Sequence, residues 1–150
     1  MLPNENFLQA AFRHAKDANI LYDQQCYDNA MYHYGFAAEC TIKAIAQRFY
    51  HSDADDLRKQ YSHRMNALLL DEQFFDMLDQ SIVFLNPALL LGIDVIHVPT
   101  ILVDGHPERR YFPDDSYTQM DCQQVQPCVR DMMSFLTGEL LDAGEWEGIF

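Results

Sequence analysis

The longest periodic segment of the chain, from Tyr27 to Tyr50, carries apolar or small side chains at the spacing of one helical face. A helix of this length gains most of its stability by packing that face on other elements, so the segment favours a fold of packed helices. Glu39 and Lys43 lie one turn apart near its middle. With about 100° of rotation per residue, Glu39 falls at the margin of the apolar stripe. We therefore expect the pair to border the core without entering it.

Spacing alone leaves two interpretations of this pair open. A Glu that precedes a Lys by four residues contributes about 0.2–0.5 kcal/mol to a helix, and the Lys stem can cover apolar surface, which suits a surface ion pair. Alternatively, Glu39 and Lys43 form a polar corner of a cleft between this helix and the last helix of the chain.

A first helix is predicted over about 6–24, where apolar or small residues recur with the same period. These residues are Phe7, Ala10, Ala11, His14, Ala18, Leu21 and Tyr22. The polar link DQQCYD joins this helix to the second, and Asp28 at its end suits a helix N-cap. A link this short implies that the first two helices form an antiparallel hairpin.

Two more helices are predicted from their apolar periodicity. The third covers about 62–80, and the last runs from Ser116 or Thr118 to Leu141, with a kink expected at Pro127. The last helix carries a stripe that suits core packing and an exposed dimer surface equally well, because Met packs adaptably. The stripe consists of Met132, Met133, Phe135 and Leu136.

The segment TILVDGHPERRYF, residues 100–112, has β-branched residues, an Asp-Gly pair and two aromatic residues, a pattern typical of a β-hairpin. Pro107 weighs against this interpretation because proline cannot donate a ladder hydrogen bond. We expect an all-α, up-and-down four-helix bundle with a short β-hairpin or irregular insertion between its third and fourth helices.

Length and composition limit the classes of protein to which this chain can belong. The 150 residues, 49% of them hydrophobic, predict a single domain over 1–150, whose tail 142–150 either frays or docks on the domain or on a partner. No run reaches a membrane span of about 18 apolar residues, and the N-terminus lacks the pattern of a secretion signal, so a cytoplasmic protein is expected.

The four cysteines show no paired CxxC spacing and predict reduced core residues, not a zinc site. No cofactor motif is found.

The net charge of −13, with ten basic residues, opposes a broad nucleic-acid groove and leaves room for a small basic cluster. Arg109 and Arg110 beside Tyr111 are the best candidates, because paired guanidinium groups next to an aromatic ring suit the charge and face of a nucleotide. Two solvated arginines are an equal alternative.

The segment AKDANILYDQQCYDNAMYHYGFAAECTIKAI combines an Ala-rich helix ending in Leu-Tyr, a short turn, and Ala-Ala-Glu followed one turn later by Lys-Ala. In these features the chain resembles the HEPN domain family (higher eukaryotes and prokaryotes nucleotide-binding). SHRMNALL and ERRYFPDDSY resemble, more weakly, the starts of the family's third and fourth helices. Phe112, inserted between Tyr111 and Pro113, departs from the family's Arg-Tyr-Pro pattern. The resemblance spans about Phe7 to Leu140.

The resemblance implies a nucleotide- or RNA-associated accessory module that dimerises through bundle faces, accompanies a nucleotidyltransferase, and serves in defence or toxin–antitoxin systems. It also implies that a polar residue near Glu39 faces the functional groove. Together with the basic cluster described above, this gives the predicted nucleotide-binding residues Glu39, Lys43, Arg109, Arg110 and Tyr111.

Active HEPN ribonucleases carry an Arg and then a His near the start of the last helix. No His follows an Arg in that region of this chain, and His106 precedes Arg110, so we predict no ribonuclease activity. The first alternative is a metal-independent endoribonuclease that uses Arg58, His63 and Glu39, or a rearranged set with His106 and Arg110, converging near Glu39. The second is a structural adaptor whose last helix and aromatic tail bind a protein.

Overall fold

The structure is a computed structural model that describes residues 6–50, 62–63 and 98–142. No strand occurs in these ranges, and a helical class is confirmed for them. The elements are α1 (Phe7–Asp23), α2 (Tyr27–Tyr50), the single turn α3 (Thr100–Val103), a 3-10 helix (Glu108–Tyr111) and α4 (Gln119–Asp142). The predicted third helix lies outside the described residues except for Ser62 and His63, which form a turn. No helix in the described part of the chain is long and apolar enough to cross a membrane.

Helices α1 and α2 form the hairpin that the short link predicts. The Asn6 side chain caps α1 by accepting from the amide of Gln9 at 3.0 Å. Gln25 takes the left-handed conformation with φ 63°, and the Cys26 amide donates back to the Leu21 carbonyl at 2.8 Å. This ending stops α1 and lets α2 begin two residues later.

The predicted role of Asp28 as N-cap is wrong, because α2 already begins at Tyr27. The Asp28 carboxylate instead accepts from the backbone amides of Asp115 and Tyr117, both at 2.8 Å. Asp28 therefore joins the first turn of α2 to the loop before α4, a contact across 87 positions of sequence that local pattern does not reveal.

Helix α2 lies at the centre of the described core and packs against both α1 and α4, which touch each other little. Small side chains allow this close packing, and Ala11, Ala18, Ala30, Ala37 and Ala38 are all completely buried. From α4, Met132 and Leu136 are buried, so the core interpretation of the Met and Phe stripe holds for these two residues. Met133 and Phe135 pack partly buried against the same cluster.

Of the two forms expected for residues 100–112, the β-hairpin is wrong, and the irregular alternative describes the segment. The segment forms the turn α3, a bend at Gly105 with φ 80°, and the 3-10 helix. The buried guanidinium of Arg109 donates through Nη2 to the carbonyls of Leu102 at 2.5 Å and Asp104 at 3.2 Å. These carbonyls are therefore engaged by a side chain instead of a second strand, and Pro107 has no amide to offer in return.

Helix α4 begins one residue after Thr118, which was one of the two predicted starts. The Thr118 hydroxyl accepts from the amide of Asp121 at 3.3 Å, and the Asp121 carboxylate accepts from the amide of Thr118 at 2.8 Å. This reciprocal pair is a capping box with Asp in the third position. The helix continues through Pro127 to Asp142.

Candidate functional site

Glu39 and Lys43 are buried, with 2% and 3% of their surface exposed, so the expectation that they only border the core is wrong. Lys43 Nζ lies 3.5 Å from Glu39 Oε2. Within the described residues, the other ion-pair and hydrogen-bond partners of Glu39 are His63 and His106, and neither lies on α4. The margin of the α2 stripe is therefore covered by the turn at 62–63 and by the segment after α3, which helical spacing alone cannot anticipate.

The side chain of His106 is completely buried, and its Nε2 lies 3.2 Å from Glu39 Oε1. A Cβ at Gly35 would lie 2.6 Å from His106 Nδ1, a distance that no real contact of this kind reaches. The imidazole therefore occupies space that the missing side chain of Gly35 leaves open. Among the described residues, His106 Nδ1 has no hydrogen-bond partner.

His63 approaches the same carboxylate from the solvent side. Its Nδ1 lies 3.3 Å from both oxygens of Glu39, and 51% of its side chain is exposed. Lys43 fixes this turn from beneath, because its Nζ donates to the carbonyl of Ser62 at 2.5 Å. Among the partners of Glu39 in the described ranges, His63 reaches solvent, whereas Lys43 and His106 are buried.

One carboxylate thus accepts hydrogen bonds from two imidazoles and forms an ion pair with Lys43. Burial alone would raise the pKa of Glu39, but the hydrogen bond from His106 and the positive charge of Lys43 outweigh burial and lower this pKa below its ordinary value. Glu39 is therefore ionised near neutral pH, and a carboxylate can only accept hydrogen bonds. Among the described residues, no group of three or more His, Cys, Asp or Glu side chains could hold a metal ion.

A row of rings leads away from this cluster across α2. The ring of Phe36 lies 4.6 Å from that of His106 and 5.5 Å from that of His63, measured between centroids. On its other side, Phe36 packs at 5.0 Å against Tyr32. The interaction with the Tyr32 hydroxyl raises the pKa of Arg110. The rings of Phe36 and Tyr32 together therefore connect the buried cluster to a basic residue on the surface.

Arg110 and Tyr111 are exposed beside this row. The Arg110 guanidinium carbon lies 4.9 Å from the centroid of the Tyr111 ring, and Tyr111 is 78% exposed. The name aromatic strip is used below for Tyr32, Phe36, His63, Arg110 and Tyr111. Its members present ring faces, one guanidinium group and one imidazole to solvent or close beneath it.

Arg109, also predicted to bind a nucleotide, is buried under this surface. Besides its two carbonyl contacts, its guanidinium carbon lies 5.4 Å from the centroid of the Tyr117 ring. Burial lowers its pKa. Within the described residues, Nε and Nη1 of Arg109 have no hydrogen-bond partner. Arg109 thus holds the connection between α3 and α4 and does not face a ligand from solvent.

The structure brings together two of the predicted catalytic residues, His63 and Glu39, while Arg58 lies outside the described residues. The third member of the cluster, His106, appeared in the sequence only as part of a rearranged alternative. Gly35 carried a usable signal, because a glycine inside a helix costs about 1 kcal/mol relative to alanine and marks a close approach. It precedes Glu39 by one turn on the same helix face.

The cysteines are divided between core and surface. Cys40, Cys122 and Cys128 are buried as expected, whereas Cys26 is exposed in the link between α1 and α2. Burial raises the pKa of Cys122 to about 12 and that of Cys128 to about 11, so both remain thiols at neutral pH. Cys122 and Cys128 therefore supply no nucleophile to the site described above.

Comparison of the chain with protein-family models, with curated proteins and with solved structures finds no match. A function is therefore argued from the geometry around Glu39 and from the resemblance in residue pattern.

Proposed function

We propose that the chain is a HEPN-type nucleotide- or RNA-associated module that completes an up-and-down four-helix bundle and binds its ligand at the aromatic strip. The contact path from Arg110 through Tyr32 and Phe36 to His63 supports this proposal most directly. Of the residues predicted to bind, Arg110 and Tyr111 face the ligand. Glu39, Lys43 and Arg109 support the surface from beneath.

The composition of the strip suits short single-stranded RNA or a nucleotide. Each aromatic face offers a stacking platform worth about 1–3 kcal/mol per base, and the guanidinium of Arg110 pairs with phosphate oxygens. A protein with a net charge of −13 repels a phosphate polymer over most of its surface. Binding is therefore confined to a few nucleotides and weakens as salt rises.

Fluorescence anisotropy of a short labelled single-stranded RNA, at low and moderate salt, tests the proposal. Tyr111→Ala is expected to weaken binding about tenfold or more through the lost stacking contact. Arg110→Ala should weaken it and reduce the dependence of affinity on salt, because one phosphate contact is removed.

Arg130→Ala is the matched control for Arg110→Ala. Arg130 lies on α4 with 73% of its side chain exposed, so the same charge is removed outside the strip. Affinity should change much less in this variant. If no RNA or nucleotide gives saturable binding to the wild-type protein, the proposal fails and the structural adaptor becomes the better hypothesis. Equal loss in both arginine variants would also contradict a site at the strip.

A specific observation favours a second candidate, the metal-independent endoribonuclease. His63 Nδ1 faces both oxygens of ionised Glu39, so its proton lies on Nδ1 and the lone pair of Nε2 is left to accept a proton. In this reaction Nε2 takes the proton of a ribose 2′-hydroxyl while the 2′-oxygen forms a bond to phosphorus. The bond to the 5′-oxygen breaks, that oxygen takes a proton from water, and the resulting hydroxide recovers the proton held on Nε2 of His63. The products carry a 2′,3′-cyclic phosphate and a 5′-hydroxyl.

Incubation of RNA with the purified protein in a chelating buffer separates the two candidates. Cleavage that produces 2′,3′-cyclic phosphate and is abolished in His63→Ala, but retained in Arg130→Ala, would establish the ribonuclease. The Arg58→Ala variant then tests the predicted charge-stabilising residue. Binding without cleavage would leave the accessory module as the function.

The resemblance also motivates proposals about partners. A homodimer through bundle faces and association with a nucleotidyltransferase in a defence or toxin–antitoxin context fit a small module without a complete catalytic set. Light scattering on the purified chain tests the dimer directly. A monomer at all accessible concentrations would exclude self-association as part of the function.

A further inference from the structure

The interior of α2 contains one glycine, and the side chain packed against it explains why a glycine occupies this position. Gly35 costs the helix about 1 kcal/mol relative to alanine, yet a Cβ there would meet Nδ1, Cε1 and Cγ of His106 at 2.6, 3.3 and 3.4 Å. The glycine therefore lets the imidazole approach the helix backbone. From that place, Nε2 of His106 faces Glu39 Oε1.

Hydrogen-bond chemistry then fixes the protons of both imidazoles. Because Glu39 can only accept, His106 donates from Nε2 and His63 donates from Nδ1. In the neutral form of His106, Nδ1 then carries the lone pair, consistent with its lack of a partner among the described residues. In its neutral form, His63 likewise carries its lone pair on Nε2, and 51% of this side chain is exposed.

We propose that His106 is a positioning residue, which rests on Gly35 and holds the Glu39 carboxylate so that His63 keeps its proton on Nδ1 and presents Nε2 to the ligand. This inference rests on the proposed function, because it assigns His63 of the aromatic strip a fixed tautomer as hydrogen-bond acceptor. The group that Nε2 recognises is a hydroxyl or another donor on the bound nucleotide.

Packing alone does not account for an imidazole at this place. The ring of His106 contacts Phe36 at 4.6 Å, a contact that an apolar side chain would make without leaving a buried nitrogen that has no partner in the described part of the chain. Charge balance does not account for it either, because Lys43 already faces Glu39. His106 adds an N–H on Nε2 that is directed at Glu39 Oε1 and holds this oxygen in place. The same contact fixes the plane of the carboxylate that His63 faces.

The protonated nitrogen of His63 is the readout, since long-range nitrogen–proton NMR spectra of the full chain report it without any ligand. The wild-type protein should show His63 protonated on Nδ1. Gly35→Ala should displace His106 and move most of the His63 population to the Nε2-protonated form. Gly138→Ala is the matched control, because Gly138 also lies within a helix and a Cβ there would meet nothing within 4 Å. Its His63 spectrum should equal that of the wild type.

A second pair of variants decides the question if Gly35→Ala does not fold. His106→Gln retains an amide N–H close to the position of Nε2, whereas His106→Leu retains only the bulk. The Gln variant should keep His63 protonated on Nδ1, and the Leu variant should lose this preference. RNA anisotropy on the same samples should show a loss of several-fold for Leu and a smaller loss for Gln.

The NMR and RNA-binding results together distinguish failure of this inference from failure of the proposed function. If His63 remains protonated on Nδ1 in folded His106→Leu, then His106 only packs and the inference is overturned. If the tautomer changes as expected but the wild-type protein binds no RNA or nucleotide, then the positioning role stands and the proposed function fails.

Discussion

Two polar networks are built on α2, and they differ in kind. In the neutral network, the hydroxyl of Tyr34 donates to Asn19 at 2.7 Å and accepts from Gln126 at 2.8 Å, which ties α1, α2 and α4 together. In the charged network, Glu39 forms an ion pair with Lys43 and accepts hydrogen bonds from His63 and His106. Both lie partly or wholly inside the protein.

The two networks differ in how well a contribution to stability alone explains them. In the neutral network, the phenol hydroxyl donates one hydrogen bond and accepts one. Its two partners lie on α1 and α4 at positions outside the core. The charged network buries a Lys and a Glu, which costs desolvation free energy that apolar residues would avoid. It also extends to a half-exposed imidazole that no core requires. Function, not stability, is the better explanation for the charged network.

Glu39→Leu should have the largest effect on stability. The substitution leaves the buried ammonium group of Lys43 without its counter-charge, and loss of one partner of a buried pair costs about 3–5 kcal/mol. Urea unfolding followed by circular dichroism measures this loss. In the double variant Glu39→Leu/Lys43→Met, no uncompensated charge remains, and most of the stability should return. A double variant as unstable as the single one would show that Lys43 is not the cause.

The contributions of the two networks to stability should also be lost at opposite ends of the pH scale. The pKa of Glu39 is lowered in the folded protein, so its contribution is present above about 4.5 and is lost as pH falls below that value. Burial raises the pKa of Tyr34, so its contribution is present below about 10 and is lost as pH rises through its folded value. Both directions follow from which state binds the proton more tightly.

Unfolding free energies of the wild type, Glu39→Gln and Tyr34→Phe, measured across pH, test this separation. Glu39→Gln should reduce the loss of stability in acid and leave the alkaline loss unchanged. Tyr34→Phe should do the reverse. A steep acid loss that persists in full in Glu39→Gln would assign it to other carboxylates.

The elements that sequence predicted well are those set by local periodicity. α1, α2 and α4 begin and end within a few residues of their predicted bounds, because an apolar stripe and its capping residues are close neighbours in the chain. The expected hairpin over 100–112 failed because Arg109 takes up the carbonyls of Leu102 and Asp104.

The candidate site was predicted in part for the same reason. Glu39 and His63 were both named from the sequence, but their contact joins positions 24 apart, and the contact of Glu39 with His106 joins positions 67 apart. The burial of Glu39 depends on those distant segments covering α2. A helical wheel places Glu39 at the margin of a stripe and cannot show what lies on that margin.

Tyr34→Phe should have a much smaller effect on stability than Glu39→Leu, about 1 kcal/mol near neutral pH. The variant removes two hydrogen bonds, but Asn19 is exposed and Gln126 half-buried, so both amides regain water and neither is left unsatisfied. Tyr22→Phe is the matched control, because the Tyr22 hydroxyl also accepts from two amides of α4, those of Gln119 and Gln123, at exposed positions. It should change stability by less than about 0.5 kcal/mol. A loss in Tyr34→Phe close to that of Glu39→Leu would mean that the neutral network is as demanding as the charged one, and the functional explanation of the Glu39 cluster would lose its main support.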